Sequence, residues 1–123
     1  MEANVIQLMP QVNCHKAMVM PIKDALEALS GKWKLPILVT LSSGPKRFKE
    51  IAKEVGGITD KVLSKELKDM ELNKLVKRTV YDTFPPTVEY AWTDHSRTLG
   101  DVMHALEAWG KLHRKTVIGG YQR

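Results

Sequence analysis

From Pro21, a favourable first-turn residue, the apolar positions Ile22, Ala25, Leu26 and Leu29 follow helical spacing as far as the Ser30-Gly31 break, which predicts a first helix. Residues 34–41 are apolar nearly all round, with Leu35, Ile37, Leu38, Val39 and Leu41, as suits a central helix with neighbours on several sides. Ser42-Ser43-Gly44-Pro45 ends it. In residues 47–55, Phe48, Ile51, Ala52 and Val55 share one side while Lys49, Lys53 and Glu54 point outward. Gly56-Gly57 stops this third helix, and Thr59 or Asp60 can cap a fourth, about 59–73, with an inner stripe of Leu63, Leu67 and Met70. Two short amphipathic helices joined through a glycine turn make a helix-turn-helix.

Residues 75–81 and 87–93 are rich in Val, Thr and aromatic side chains and are linked by Asp82-Thr83-Phe84-Pro85-Pro86, so they predict a hairpin with a proline-stiffened tip. A long final helix, about 94–118, keeps Leu99, Val102, Met103, Leu106, Trp109 and Val117 on one face, with Gly110 allowing close approach, before Gly119-Gly120 releases the chain. That stripe is longer than a core of this size needs, which points to a dimer interface. The N-terminal residues carry no sustained periodicity, and 1–19 read as a loose arm. The expectation is a mainly α domain over 20–120 with one small β-hairpin.

Composition narrows the class. With 123 residues and 43% hydrophobic content the chain can build one compact core but not two ordinary domains. No apolar run approaches a membrane span and the N-terminus lacks signal-peptide character, so a cytoplasmic protein away from membranes is expected. The single cysteine, Cys14, cannot form an intrachain disulfide and fits a reducing compartment. The net charge of +5 is concentrated between residues 44 and 80, which hold ten basic and six acidic side chains. A polyanionic partner becomes the leading idea.

Placed on a helical wheel, residues 59–73 put Lys61, Ser64, Lys65 and Lys68 opposite the apolar stripe. A helix entering the major groove needs side chains near its N-terminus that bond base edges and cations that reach phosphates, and this face offers both. Thr59 and Asp60 belong to the same N-terminal turn, while Lys77 and Arg78 on the hairpin, with Lys46 and Arg47 as a flank, supply further candidate DNA contacts. Double-stranded DNA is the expected partner.

Residues spread from Met20 to about Gly120 resemble the HxlR-type regulators within the MarR-like winged-helix group. The resemblance rests on Pro21-Ile22 with Ala25-Leu26, Gly31-Lys32-Trp33 with Ile37-Leu38, Arg47-Phe48 with Glu50-Ile51, and Ile58-Thr59 with Lys61-Val62-Leu63-Ser64 and Leu67. Val88-Glu89-Tyr90 before Trp92-Thr93, and then Trp109-Gly110, complete it. It implies a winged helix-turn-helix whose recognition helix is about 59–73, whose wing is about 75–93, and whose terminal helix joins a homodimer. Leu99, Val102, Met103, Leu106, Trp109 and Gly110 would form that interface, and the function implied is repression from a palindromic promoter site. Family members often carry a thiol sensor just before the first-helix proline, but Met20 stands there, so only Cys14 is left as a possible redox residue.

Other classes fit less well. Cys14-His15 invites an enzyme reading, yet adjacent residues rarely reach nucleophile-and-base geometry. The histidines at 15, 95, 104 and 113 have no metal-ligand spacing, and no cofactor or metal is expected. A winged-helix module that binds proteins instead of DNA is the alternative, and the lysine face argues against it. No small-molecule effector is indicated by the sequence.

Overall fold

The computed structural model describes residues 12–119, with side chains from residue 16 onward. The described residues divide into two units, one up to residue 32 and one from residue 33 onward. In the first, helix α1 (Val12–Ala28) carries Pro21 in its interior. This corrects the expected arm over 1–19 from Val12 onward, and the expected start at Pro21. Lys16, Ala17, Met18 and Met20 are strong helix formers, and together they carry the helix through the one backbone donor that the proline removes. The part of the arm before Val12 lies outside the described residues, as does Gly120.

The second unit holds α2 (Lys34–Leu41), α3 (Phe48–Val55), α4 (Asp60–Leu72), an antiparallel hairpin of β1 (Val76–Tyr81) and β2 (Thr87–Trp92), a short α5 (Asp94–Arg97) and α6 (Gly100–Ile118). This is the mainly helical, winged helix-turn-helix architecture that the pattern predicts. Its core joins Ile37, Leu38 and Leu41 of α2 to Ile51 of α3, Leu63, Leu67 and Met70 of α4, and Leu75 and Val76 at the wing base, all nearly inaccessible to solvent. Truncating one of them, such as Leu67→Ala, should cost about 2–5 kcal/mol through reduced burial and the cavity left behind. Val39 departs from the all-round burial expected of α2: it is exposed and, with Leu35, Pro36, Val55, Met103 and Leu106, lines an open apolar groove.

Two terminations fix the geometry of the unit. Gly56 and Gly57 both have positive φ, the left-handed backbone that glycine adopts without a Cβ clash, and they turn the chain from α3 into α4. At the far end of α4, Leu75 N–H donates to Met70 O at 2.8 Å and Lys74 N–H to Glu71 O at 3.0 Å, with Lys74 itself at φ 61°. This is a Schellman closure with lysine where glycine is usual, and Met70 and Leu75, the positions that such a closure brings together, are both buried.

The expected single helix over 94–118 is interrupted. Thr93 and Ser96 cap one another at the start of α5, Ser96 N–H donating to Thr93 Oγ1 at 3.0 Å and Thr93 N–H to Ser96 Oγ at 2.8 Å. The break follows at Thr98 and Leu99, whose N–H groups donate to His95 O at 3.1 Å and Ser96 O at 3.0 Å while the Thr98 hydroxyl also donates to His95 O. Hydrogen bonds at i+3 spacing tighten the last turn and close it, which apolar periodicity alone does not reveal. Along α6, Val102, Leu106, Trp109, Leu112 and Val117 are all exposed, and none of its residues is buried. A Cβ added at Gly110 would meet nothing within 4 Å, so no close approach occurs there within the described chain.

Candidate nucleic-acid interface

Helix α4 begins with Thr59, whose Oγ1 accepts from Val62 N–H at 3.2 Å, and three apolar side chains then anchor it in the core. The anchoring fixes its rotation. Thr59, Asp60, Lys61, Ser64, Lys65 and Lys68 are all exposed as a result, and Leu72 extends the same outer face. Among the described residues, Lys61, Lys65 and Lys68 have no carboxylate within ion-pair distance. Their charges are uncommitted and surrounded by solvent.

The hairpin register pairs Arg78 with Tyr90 and Lys77 with Ala91. Successive strand residues point to opposite faces, so the two wing cations cannot share a surface. Arg78 lines a small polar cleft with Ser64, Lys68, Glu71 and Tyr90, which joins the wing to the outer face of α4. Lys77 projects from the other side of the hairpin. The structure therefore brings Arg78, and not Lys77, to the helix-turn-helix surface.

Of the expected flank, Arg47 is exposed and stands at the start of α3, where its N–H donates to Glu50 Oε1 at 2.8 Å. Lys46 has another setting. Its backbone exchanges hydrogen bonds with Tyr90 at 2.9 and 2.8 Å, its ammonium lies 3.5 Å from Glu54, and its side chain is only 15% exposed. It tethers the return strand of the wing to the loop before α3 and does not present a free charge.

One charged residue at this surface is not foreshadowed by the periodicity. Lys34, in a segment that reads as apolar, is buried, and its Nζ lies 2.7 Å from Glu66 Oε1 and 3.0 Å from Asp69 Oδ2. Burial alone would lower its pKa, but the hydrogen bonds and charges of the two carboxylates outweigh that and hold it above the ordinary 10.5. The signal that could have found it is the spacing of Glu66 and Asp69, three residues apart on one flank of α4.

Cys14 falls within α1, and its side chain lies outside the described residues. No group of three or more His, Cys, Asp or Glu side chains suited to a metal occurs among the described residues, and no helix among them is long and apolar enough to cross a membrane.

Comparison with known proteins agrees with this arrangement. Residues 28–117 match the HxlR-like helix-turn-helix family. The chain is 37% identical over 98 residues to the HTH-type transcriptional regulator YtcD of Bacillus subtilis, covering 80% of this chain and 78% of that protein. It is 43% identical over 91 residues to the HTH-type regulator BH0655 of Halalkalibacterium halodurans, covering 73% and 80% respectively. Among solved structures, the redox regulator HypR in its reduced form superposes with a TM-score of 0.75 at 33% identity, covering 79% of this chain and 96% of that one. A MarR-family regulator of Enterococcus faecalis superposes with a TM-score of 0.73 at 35% identity, covering 80% and 90%.

Proposed function

The chain belongs to the HxlR-like helix-turn-helix family of transcriptional regulators, and from that membership we propose that it acts as a repressor, binding a palindromic promoter site as a homodimer. The observation that carries the DNA-reading part is the set of uncommitted lysines on the outer face of α4, with Arg78 of the wing beside them across the cleft. In this reading α4 enters the major groove. Lys61 and Ser64, near its N-terminal end, meet base edges; Thr59 and Asp60 shape that first turn; Lys65, Lys68, Arg47 and Arg78 reach phosphates. Lys77 contacts the backbone from the far side of the wing, and Lys46 acts indirectly by fastening the wing.

Dimerisation is supported by the exposed apolar face of α6, which includes Val102, Leu106 and Trp109 and runs on into the groove by Leu35 and Val39. A patch of this kind on a small protein calls for a partner surface. In the dimer Leu99, Met103 and Gly110 complete the contact, Gly110 then giving the two helices their closest approach. A palindromic site follows from the two-fold symmetry of such a pair, and repression is the role the family resemblance implies.

Fluorescence anisotropy with duplex DNA over a salt series tests the reading. Binding whose logarithmic affinity falls linearly and steeply with the logarithm of salt is expected, because each phosphate contact releases condensed counterions. Absence of salt-dependent binding to any duplex would favour a protein-interaction module instead.

A further inference from the structure

Helix α4 carries three lysines against four carboxylates, Asp60, Glu66, Asp69 and Glu71, so it is not cationic as a whole. Its value as a DNA-facing element depends on how those charges are sorted around the axis. At about 100° per residue, Asp69 stands roughly 40° from Lys65 and is also its i+4 neighbour, the spacing at which opposite charges pair along a helix. Yet Lys65 has no carboxylate partner among the described residues, because Asp69 Oδ2 is held 3.0 Å from Lys34 Nζ. Glu66 is held on the same ammonium at 2.7 Å.

We infer that Lys34 is a positioning residue for DNA binding, which sequesters Glu66 and Asp69 at the inner flank of α4 and so leaves Lys65 free to meet phosphate. The inference rests on the DNA-binding reading above. Lys34 wins the competition for Asp69 on physical grounds. Its side chain is 6% exposed against 51% for Asp69, so its ammonium is poorly hydrated and fixed by packing, and its attraction to carboxylates is little screened. Lys65 is solvated, and surface pairs of that kind gain about 0–1 kcal/mol. Without Lys34, both carboxylates would also stand next to the incoming phosphates with no cation to offset them. The raised pKa keeps Lys34 charged throughout the neutral range, so the sorting holds wherever the protein meets DNA.

Removing Lys34 alone leaves Glu66 and Asp69 unpaired, so the decisive comparison is made in a neutral background. Full-length wild type, the double variant Lys34→Met/Glu66→Gln and the triple variant Lys34→Met/Glu66→Gln/Asp69→Asn are titrated against one random-sequence duplex over a salt series, with melting curves confirming each fold. The double variant, in which Asp69 is free to capture Lys65, should bind more weakly with a salt slope shallower by about one unit per subunit. The triple variant should recover the wild-type slope, a recovery that a merely structural role for Lys34 does not give. Equal slopes in the two variants, or a wild-type slope in the double variant, would overturn the inference while leaving DNA binding intact. Failure of the wild type to bind with any salt dependence would instead overturn the DNA-binding reading, and this inference with it.

Discussion

The indole N–H of Trp92 in β2 donates to the carbonyl oxygen of Leu38 in α2 at 2.7 Å. Leu38 lies in the last turn of α2, where helix carbonyls run out of backbone partners, and Ser42 N–H is already directed to Val39 O. The wing is thereby fastened to the central helix by a bond that also completes the helix end. Trp92→Phe keeps most of the ring but strands a part-buried carbonyl, and should lower stability by about 1–3 kcal/mol in chemical denaturation. A decrease below about 0.3 kcal/mol, well under the usual worth of such a bond, would show that water replaces the indole.

The side chains on α4 and the wing should separate by kind. Lys61→Ala or Ser64→Ala should reduce discrimination between the cognate site and random duplex, at about 1–3 kcal/mol for a base contact. Lys68→Ala and Arg78→Ala should weaken both duplexes alike and flatten the salt slope by about one unit for each phosphate no longer neutralised. All four side chains are exposed, so melting temperatures should stay close to wild type. Wild-type affinity in all four folded variants would show that the reading surface lies elsewhere.

Trp109 is 59% exposed and stacks on His113 with ring centroids 4.7 Å apart. Trp109→Ala should raise the dissociation constant of the homodimer, by about 2 kcal/mol or more if the indole is a central anchor of the interface. Sedimentation equilibrium measures this directly, and a wild type that runs as a monomer at micromolar concentration removes the premise.

Oxidation should matter little. Met20 occupies the position where the resemblance leads one to expect a thiol, and the chain holds a single cysteine. Diamide is expected to leave DNA binding of the wild type within about twofold, well under the roughly tenfold change that about 1.4 kcal/mol would produce. A large drop in affinity that Cys14→Ser abolishes would instead place a sensor at Cys14.

Lys34 gives a pH dependence of definite sign. Its pKa is raised on folding, so its contribution to stability is complete below the ordinary value of 10.5 and disappears as pH climbs through the higher folded-state value. The melting temperature of the wild type should therefore fall more steeply above about pH 10.5 than that of the Lys34→Met/Glu66→Gln/Asp69→Asn variant. Parallel curves would mean that the ion cluster adds nothing to stability.

Much of this architecture can be read from residue order alone, because α3, α4 and the hairpin owe their limits to local chemistry: Gly56-Gly57, the Thr59 cap and the Pro85-Pro86 tip. Legibility fails where a local signal has two outcomes. Pro21 reads as a helix start, yet good helix formers on its N-terminal side carry α1 through it. Thr98 and Leu99 look like ordinary residues of a long helix, and only their hydrogen bonds at i+3 spacing, to His95 and Ser96, divide α5 from α6. At the candidate site, periodicity places the lysines of α4 correctly on its outer face. It could not reveal that Lys46 is tied to Glu54 or that Lys34 reaches Glu66, since each depends on how separate segments meet, whereas the parting of Lys77 and Arg78 follows from strand alternation and is legible in their adjacency.

Where α4 gives way to the wing, Lys74 turns the backbone through its left-handed conformation while its carbonyl accepts from Thr93 Oγ1 at 2.6 Å. The end of the helix, the first strand and the residue after the second strand are thus clamped at one point. Helix and wing cannot hinge apart without breaking that clamp, so in the proposed DNA complex they would move together as one tool. In the proposed homodimer, a signal that rotates one subunit against the other would then act on phasing. Successive major-groove faces recur about every 34–36 Å along the axis, and turning one subunit out of step with the other would leave both tools intact but able to seat only one at a time.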